Sequence, residues 1–287
     1  MMQSLLPSNV ERNIVTDPFP YFSTQSAIAP EVCAQLISEF PSLETVTQGL
    51  PTASNERFSY PARLALFNES LSPLWREFVE YHVSQAFLDQ FVQLFQNQIR
   101  ACYPNFEADF GRLDQLRAGV RGLDDFSNAD VLLDAQICVN TPVVGVPCSV
   151  RRGHVDATNK LLFGLFYLRP ETDSTSGGDL EIYRLKNKEQ VYRGGFVDDR
   201  YLKVVQTIPY QANHCVIGIN SIRSLHGVTV RNVTPQPRLF FNLVGEVNRP
   251  LFDTSLYALS PTWVDRTIEQ SAKAVKKLAR VVRSRAA

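Results

Sequence analysis

At Val131 the hydrophobic pattern of the chain changes its period from that of a helix to that of a strand, and this change limits the folds open to it. Ala135, Ile137 and Val139 alternate with Asp134, Gln136, Cys138 and Asn140, which gives a strand with one apolar and one mostly polar face. Apolar or alternating runs follow at Leu161–Leu168, Leu180–Tyr183, Tyr201–Ile208, His214–Ile219, Val228–Val230 and Leu239–Val247. Turn signals separate them: Asp173 to Gly178, Gly194-Gly195, and Pro235-Gln236-Pro237. So many short strands without interleaved helices point to an antiparallel jelly roll. The expected fold is mainly β, a double-stranded β-helix (jelly roll) core with flanking helices.

The first 130 residues read as a mostly helical part packing on a core of residues 131–250. Pro30 opens a helix to about Phe40, with Val32, Cys33, Leu36, Ile37 and Phe40 as its apolar stripe. Residues 42–62, rich in Ser, Thr, Pro and Asn, read as a long loop framing an entrance. Ser72-Pro73 caps and starts a helix expected to run to about Cys102. His82 falls on its apolar face and reads as a packed core histidine. Residues 105–130 follow no single period. Residues 251–287 form a last unit, a basic amphipathic helix over 261–287 with seven Lys or Arg against two acids from residue 265 on. It either docks on the core with a solvated basic face or meets an anionic membrane surface or a partner.

Composition excludes several classes. With 29 basic and 29 acidic residues the formal charge is zero, so no global attraction to nucleic acid exists. Five cysteines, an odd number without Cys-x-x-Cys spacing, read as reduced thiols. Met1 to Val15 lacks the apolar stretch of a leader, and no run of eighteen apolar residues occurs. The expected location is cytoplasmic, or peripheral at a membrane surface through the last helix.

His154-Val155-Asp156, answered by His226, is the chemical feature of the core. In an extended segment residues two apart point the same way, so His154 and Asp156 can reach one metal if His226 comes from a strand alongside. Two imidazoles and a carboxylate occupy one face of a ferrous ion and leave the others open. The tripeptide alone is weak, since this composition gives roughly 0.2 such pairs by chance. The alternative is a solvated turn after Arg151-Arg152-Gly153, with His226 a hydrogen-bonded core histidine. His214, beside the apolar run Cys215–Ile219, reads as structural.

Gln136 to Val247 resembles the catalytic core of the Fe(II)/2-oxoglutarate-dependent dioxygenases, in the prolyl-4-hydroxylase-like branch. The likeness rests on Gln136-Ile137 and Gly145 ahead of His154, on Leu165-Phe166-Tyr167-Leu168 followed by Gly177-Gly178-Asp179-Leu180-Glu181-Ile182-Tyr183, and on His226-Gly227-Val228 followed by a strand from Arg238. It implies Fe(II) on His154, Asp156 and His226, with 2-oxoglutarate as cosubstrate and O2 as oxidant. Arg238 would hold the far carboxylate, and its planar fork suits that task; Arg231 is the competing candidate. Gln136 and Tyr167 are candidates for a second contact. Relatives carry Ser or Thr where this chain has Phe240, and the strictest register puts the third-strand hydroxyl at Phe166. The implied reaction hydroxylates an unactivated C–H bond of a small molecule, such as an amino acid or sugar acid, releasing succinate and CO2. Asp156 itself favours hydroxylation over halogenation, for which relatives have a small residue there. Arg151, Arg152, Asn140 and Arg223 are candidates to receive an anionic substrate. The other readings are a protein or peptidyl hydroxylase, a non-enzymatic jelly-roll binding module, and a zinc hydrolase.

Overall fold

In a computed structural model, residues 4–6, 14–186 and 190–259 are described. The chain begins with strand β1 (Tyr21–Thr24), helices α1 (Pro30–Ser38) and α2 (Leu43–Thr47), and strand β2 (Arg57–Tyr60). Helices α3 (Ala62–Ala65), α4 (Pro73–His82), α5 (Gln85–Cys102) and α6 (Phe106–Phe110) follow, then strand β3 (Ala118–Val120). Next come β4 (Val131–Asn140), β5 (Lys160–Tyr167), β6 (Leu180–Leu185), β7 (Tyr192–Arg193) and β8 (Phe196–Val197). The last strands are β9 (Leu202–Ile208), β10 (Cys215–Ile219), β11 (His226–Val228) and β12 (Arg238–Glu246). Helix and sheet are thus mixed, around a sheet-rich core.

The larger sheet has the order β1-β10-β5-β12-β4-β2, all antiparallel, with β3 parallel to the start of β4. A smaller sheet, β11-β6-β9, lies across from it. Leu180, Ile182 and Ile208 of the small sheet share one apolar cluster with Cys138, Phe163, Leu165, Tyr167 and Phe240 of the large one. The other face of the large sheet, with Ala135, Ile137, Val139, Phe166, Phe241 and Leu243, packs on the helices. Strand alternation therefore divides the molecule into a helical core outside the sheet and a partly polar chamber between the sheets.

The helices form where local chemistry directs. Ser72 accepts from the Trp75 N–H at 3.3 Å, and Pro73 sits at the first helical position of α4. Trp75 and Phe78 then reach Phe241, with ring centroids 6.0 and 4.9 Å away. The single helix expected over 72–102 is two. Ser84 accepts from the Phe87 N–H at 3.3 Å and donates to the Tyr81 carbonyl at 2.7 Å, so a new cap interrupts an unbroken apolar stripe.

The expected loop 42–62 holds α2, β2 and the start of α3, because β2 adds an edge to β4 that its own sequence barely signals. The short strand expected at Val228–Val230 begins two residues earlier, at His226, where it pairs with β6. The basic helix expected over 261–287 lies outside the described residues. No described helix is long and apolar enough to cross a membrane.

Candidate active site

His154 and His226 are backbone partners: each N–H donates to the other's carbonyl at 2.9 Å. The segment from Cys148 to His154 runs antiparallel to His226–Arg231, fixed further by Val228 N–H to the Arg151 carbonyl at 2.9 Å and by mutual bonds between Cys148 and Arg231. The two imidazoles consequently face each other at 4.3 Å, and Asp156, two residues on, turns to the same side. One ligand atom from each of His154, Asp156 and His226 lies within 4.8 Å of the others. His154 Nε2 stands 3.8 Å from Asp156 Oδ1.

The protonation state suits a cation. Each imidazole directs Nδ1 at the carbonyl two residues before it, Arg152 for His154 and Ser224 for His226, both at 2.8 Å. A carbonyl only accepts, so Nδ1 carries the hydrogen and the Nε2 lone pair is left for a metal. Burial pushes His154 well below its ordinary value, reinforced by His226 and Arg151, and burial also lowers His226. Both rings are therefore neutral near pH 7. Burial alone would raise Asp156, but Lys160 foremost, the imidazoles once protonated, and Arg151 hold it well below the usual carboxylate range. Two neutral imidazoles and an ionised carboxylate need lose no proton to ligate. Phe163 stacks on His226 at 5.2 Å and fixes its plane.

At the far end of the same chamber lies Arg238, only 2% exposed. Its Nε donates to the Gly178 carbonyl at 2.8 Å and its Nη1 to Asn140 Oδ1 at 3.2 Å, while Nη2 has no partner. Tyr167, Tyr210 and Phe240 surround the guanidinium with their rings at 4.8–4.9 Å. No carboxylate among the described residues pairs with it. A buried guanidinium without a counterion is costly, so the site is built for an anion. Two more buried donors there lack partners, Asn140 Nδ2 and the Tyr167 hydroxyl, which faces the Arg238 guanidinium without an aligned hydrogen bond. These three unmet donors are of the kind that a carboxylate accepts from.

Strand register assembles this end. Arg238 stands opposite Asn140, and Phe240 lies between Cys138 on one side and Tyr167 on the other. The third-strand hydroxyl is thus Tyr167, not Phe166, whose ring belongs to the helical core. Phe240 supplies a ring against Arg238 where a hydroxyl might be looked for, and the further donors come from neighbouring strands. The Gly177-Gly178 pair lets the chain pass this close. Gly177 has φ +81°, and a Cβ there would lie 1.9 Å from the Val230 carbonyl oxygen. Gly178 has φ +87°, and a Cβ would press on Arg231 and Arg238 at 3.2 Å.

Not every expected residue joins the pocket. Gln136 lines the chamber but is engaged, donating to Asp134 at 2.7 Å and accepting from Asn242 at 2.9 Å. It lies four residues along β4 from Asn140, about 13 Å at the rise of a strand, which is too far to share the Arg238 end. Arg151 does line the chamber, with Nη1 3.4 Å from Asp156 Oδ1. Arg152 does not: the chain bends at 151 and 153, and the side chain, 73% exposed, pairs with Asp199 outside. Arg223 is likewise exposed and absent from the lining, with its charge acting on Cys102 instead. Asn140, expected as a substrate contact, lines the chamber beside Arg238, whose Nη1 donates to its Oδ1 at 3.2 Å.

Arg231 is buried but satisfied by Asn55, the Thr141 carbonyl and the Gln236 carbonyl, which leaves Arg238 as the better anion site. His82 bonds Phe78 and Leu5, and His214 bonds Ser23, so both are structural. Sequence reasoning missed Tyr210, Lys160 and Arg57. Lys160 is signalled only by its place four residues after Asp156, and Arg57 only once β2 is recognised as a strand.

The chamber measures about 380 Å³ and is lined by both ends of this arrangement. Two imidazoles, a carboxylate and open space fit a divalent transition metal with free coordination positions.

No family model and no curated protein matches the chain. Among solved structures it is similar to a prolyl-4-hydroxylase from Pseudomonas putida, with 11% identity over 80% of this chain and 93% of that one and a TM-score of 0.43. It is similar to a viral collagen prolyl hydroxylase from Paramecium Bursaria Chlorella virus-1, with 10% identity, 82% and 99% coverage and a TM-score of 0.40. The non-haem α-ketoglutarate-dependent carbocyclase SnoK from nogalamycin biosynthesis is a third, with 13% identity, 79% coverage of both chains and a TM-score of 0.42. The solved structures that the chain resembles are thus prolyl-4-hydroxylases and 2-oxoglutarate-dependent oxygenases, at a distance where the side chains themselves must carry the functional argument.

Proposed function

We propose that the protein is an Fe(II)- and 2-oxoglutarate-dependent oxygenase that hydroxylates a C–H bond of a small molecule. The observation that carries this reading is the buried, counterion-free guanidinium of Arg238 in the same chamber as the three potential metal ligands. A metal site alone would suit a zinc hydrolase, and an anion site alone would suit a binding module. A reaction on a dicarboxylate that chelates the metal at one end and needs a cation at the other uses both halves of the chamber. The two sheets, in this reading, are the halves of a double-stranded β-helix. The segment around His154 then extends the small sheet beside β11.

His154, Asp156 and His226 hold the iron, which when bound with 2-oxoglutarate and O2 supplies the oxidising power for C–H cleavage, releasing succinate and CO2. The chain's own residues position and shield. The carbonyls of Arg152 and Ser224 fix the imidazole tautomers. Arg238 Nη2, Asn140 Nδ2 and the Tyr167 hydroxyl bind the distal carboxylate and set the depth at which the keto acid lies. The rings of Tyr167, Tyr210 and Phe240 exclude water there, which strengthens the ion pair. In this reading the protein works in the cytoplasm, and the basic sequence of residues 265–287 would suit an anionic membrane surface. A lipid-flotation comparison with and without those residues tests that assignment.

The direct test is conversion of 2-oxoglutarate to succinate by the iron-loaded protein without added substrate. His154→Ala is expected to abolish it, and undiminished turnover in that variant would remove the assigned site.

A further inference from the structure

The chamber is more basic than iron and 2-oxoglutarate require. Arg57, Arg121, Arg151, Lys160 and Arg238 line it, against Asp156 and Glu246. Arg121 is neutralised locally, 3.1 Å from Glu246 and 3.4 Å from Asp134. Fe(II) and 2-oxoglutarate carry equal and opposite charges, so loading both leaves the positive excess standing. Arg238 is matched by the cosubstrate in the proposed reading, and Lys160 lies 3.5 Å from Asp156. Arg57 and Arg151 remain.

Arg57 makes no ion pair among the described residues; its one polar contact is to the Cys138 sulfur at 3.8 Å. Its guanidinium lies 5.1 Å from the Phe240 ring centroid, and Arg238 approaches the same ring at 4.9 Å. Phe240 thereby touches two cations, Arg238 buried at the closed end and Arg57 exposed on the edge strand. Arg151 comes from the opposite side, 5.8 Å from the Phe196 ring centroid, with Asp156 as its single ionic partner. That carboxylate is shared with Lys160, so one negative charge faces two cations. Both arginines line the same chamber. Like charges held facing one chamber, each steadied by an aromatic ring, are the arrangement of an oxyanion clamp.

We infer that Arg57 and Arg151 form a second anion subsite, separate from Arg238, which receives the carboxylate or phosphate group of a small anionic substrate. This rests on the oxygenase reading and narrows it to a substrate class. The size of the chamber agrees, since about 380 Å³ must admit the cosubstrate as well. The neighbouring wall is Gln136 bonded to Asn242, a polar surface that suits a hydroxylated or amino-bearing carbon skeleton better than an apolar one.

The test uses the full chain under anaerobic conditions, loaded with Mn(II) and saturating 2-oxoglutarate. Acetate, inorganic phosphate and the neutral probe acetamide are titrated separately, and their proton or phosphorus resonances are followed for broadening by the bound Mn(II). Acetate or phosphate is expected to bind and acetamide not, and the tighter of the two anions names the substrate's charged group. Arg57→Gln and Arg151→Gln should each weaken that binding at least ten-fold, whereas Arg57→Lys should weaken it less, because charge is kept and the fork is lost. Anion binding unchanged in both glutamine variants, or acetamide binding as well as acetate, overturns the subsite while leaving the oxygenase reading in place. Failure of Mn(II) to load on the unaltered protein, with normal loading required of His154, Asp156 and His226, overturns that reading and this one with it. A peptide that relieves broadening only when it carries an acidic side chain would support the subsite but assign it to a protein substrate.

Discussion

Replacing Arg238 by methionine separates ligand binding from stability in a way few substitutions do. In the free protein the guanidinium is buried without a counterion, and its removal relieves a charge-burial cost of several kcal/mol. The same change leaves the Gly178 carbonyl and Asn140 Oδ1 without their donors, at about 1–3 kcal/mol each. These opposing effects are of similar size, so the unfolding temperature of the free protein should move by only a few degrees. Binding behaves differently. Loss of the partner of a buried carboxylate costs about 3–5 kcal/mol, which weakens 2-oxoglutarate by about two to four orders of magnitude. The assay is thermal unfolding of the Mn(II)-loaded protein with and without 2-oxoglutarate. At about 100 times its Kd a ligand adds about 2.7 kcal/mol, which corresponds to a rise of roughly 4–5 °C for a chain of this size. That rise should appear in the unaltered protein and vanish in Arg238→Met at the same ligand concentration. An equal rise in both proteins would refute the assignment of Arg238. A collapse of the free variant by tens of degrees would refute the argument that its charge is uncompensated.

Other outcomes follow from neighbouring features. Gly178→Ala must adopt φ near +87° and push on the Arg238 side chain, so it should cost about 1–3 kcal/mol of stability; calorimetry beside a 2-oxoglutarate titration should show affinity falling as well. Burial pushes the His82 imidazole down to about 4 from its ordinary value of about 6.5. The unfolded chain therefore binds the extra proton first as pH falls, so stability is full above about pH 6.5 and declines towards pH 4, by about 3 kcal/mol in all. Denaturant midpoints across that range should show a slope that His82→Gln flattens; an equally steep slope in the variant would assign the acid sensitivity elsewhere. Phe241→Ala opens a gap between the sheet and the rings of Trp75 and Phe78, and should cost about 3–5 kcal/mol by urea unfolding.

Much of the candidate site was legible because its parts obey strand periodicity. His154 and Asp156 needed only an extended segment, and His226 only a neighbour, and the backbone pairing between the histidines supplies both. Tyr167 was legible as a candidate but not as the residue facing inward, since a one-residue change of register exchanges it with Phe166. Arg152 and Arg223 misled for a related reason. Adjacent in sequence to the ligands, they lie in bends where alternation no longer says which way a side chain points. Arg57 was hidden because an edge strand in a Ser- and Pro-rich stretch carries little pattern of its own. The break between α4 and α5 was written in Ser84, yet the apolar stripe continued through it and spoke for one helix.

By itself the sequence determined the period of each element, the turns between strands and the residue types able to hold a metal and a carboxylate, because these depend on neighbours a few positions apart. The tertiary structure alone decided which polar groups are left without partners. That Arg238, Asn140 and Tyr167 each retain an unmet donor depends on three strands, β12, β4 and β5, meeting in one register and burying these groups where no neighbouring side chain pairs with them. Desolvation is a property of everything packed around a group, so the demand for an anion exists only once the fold has closed.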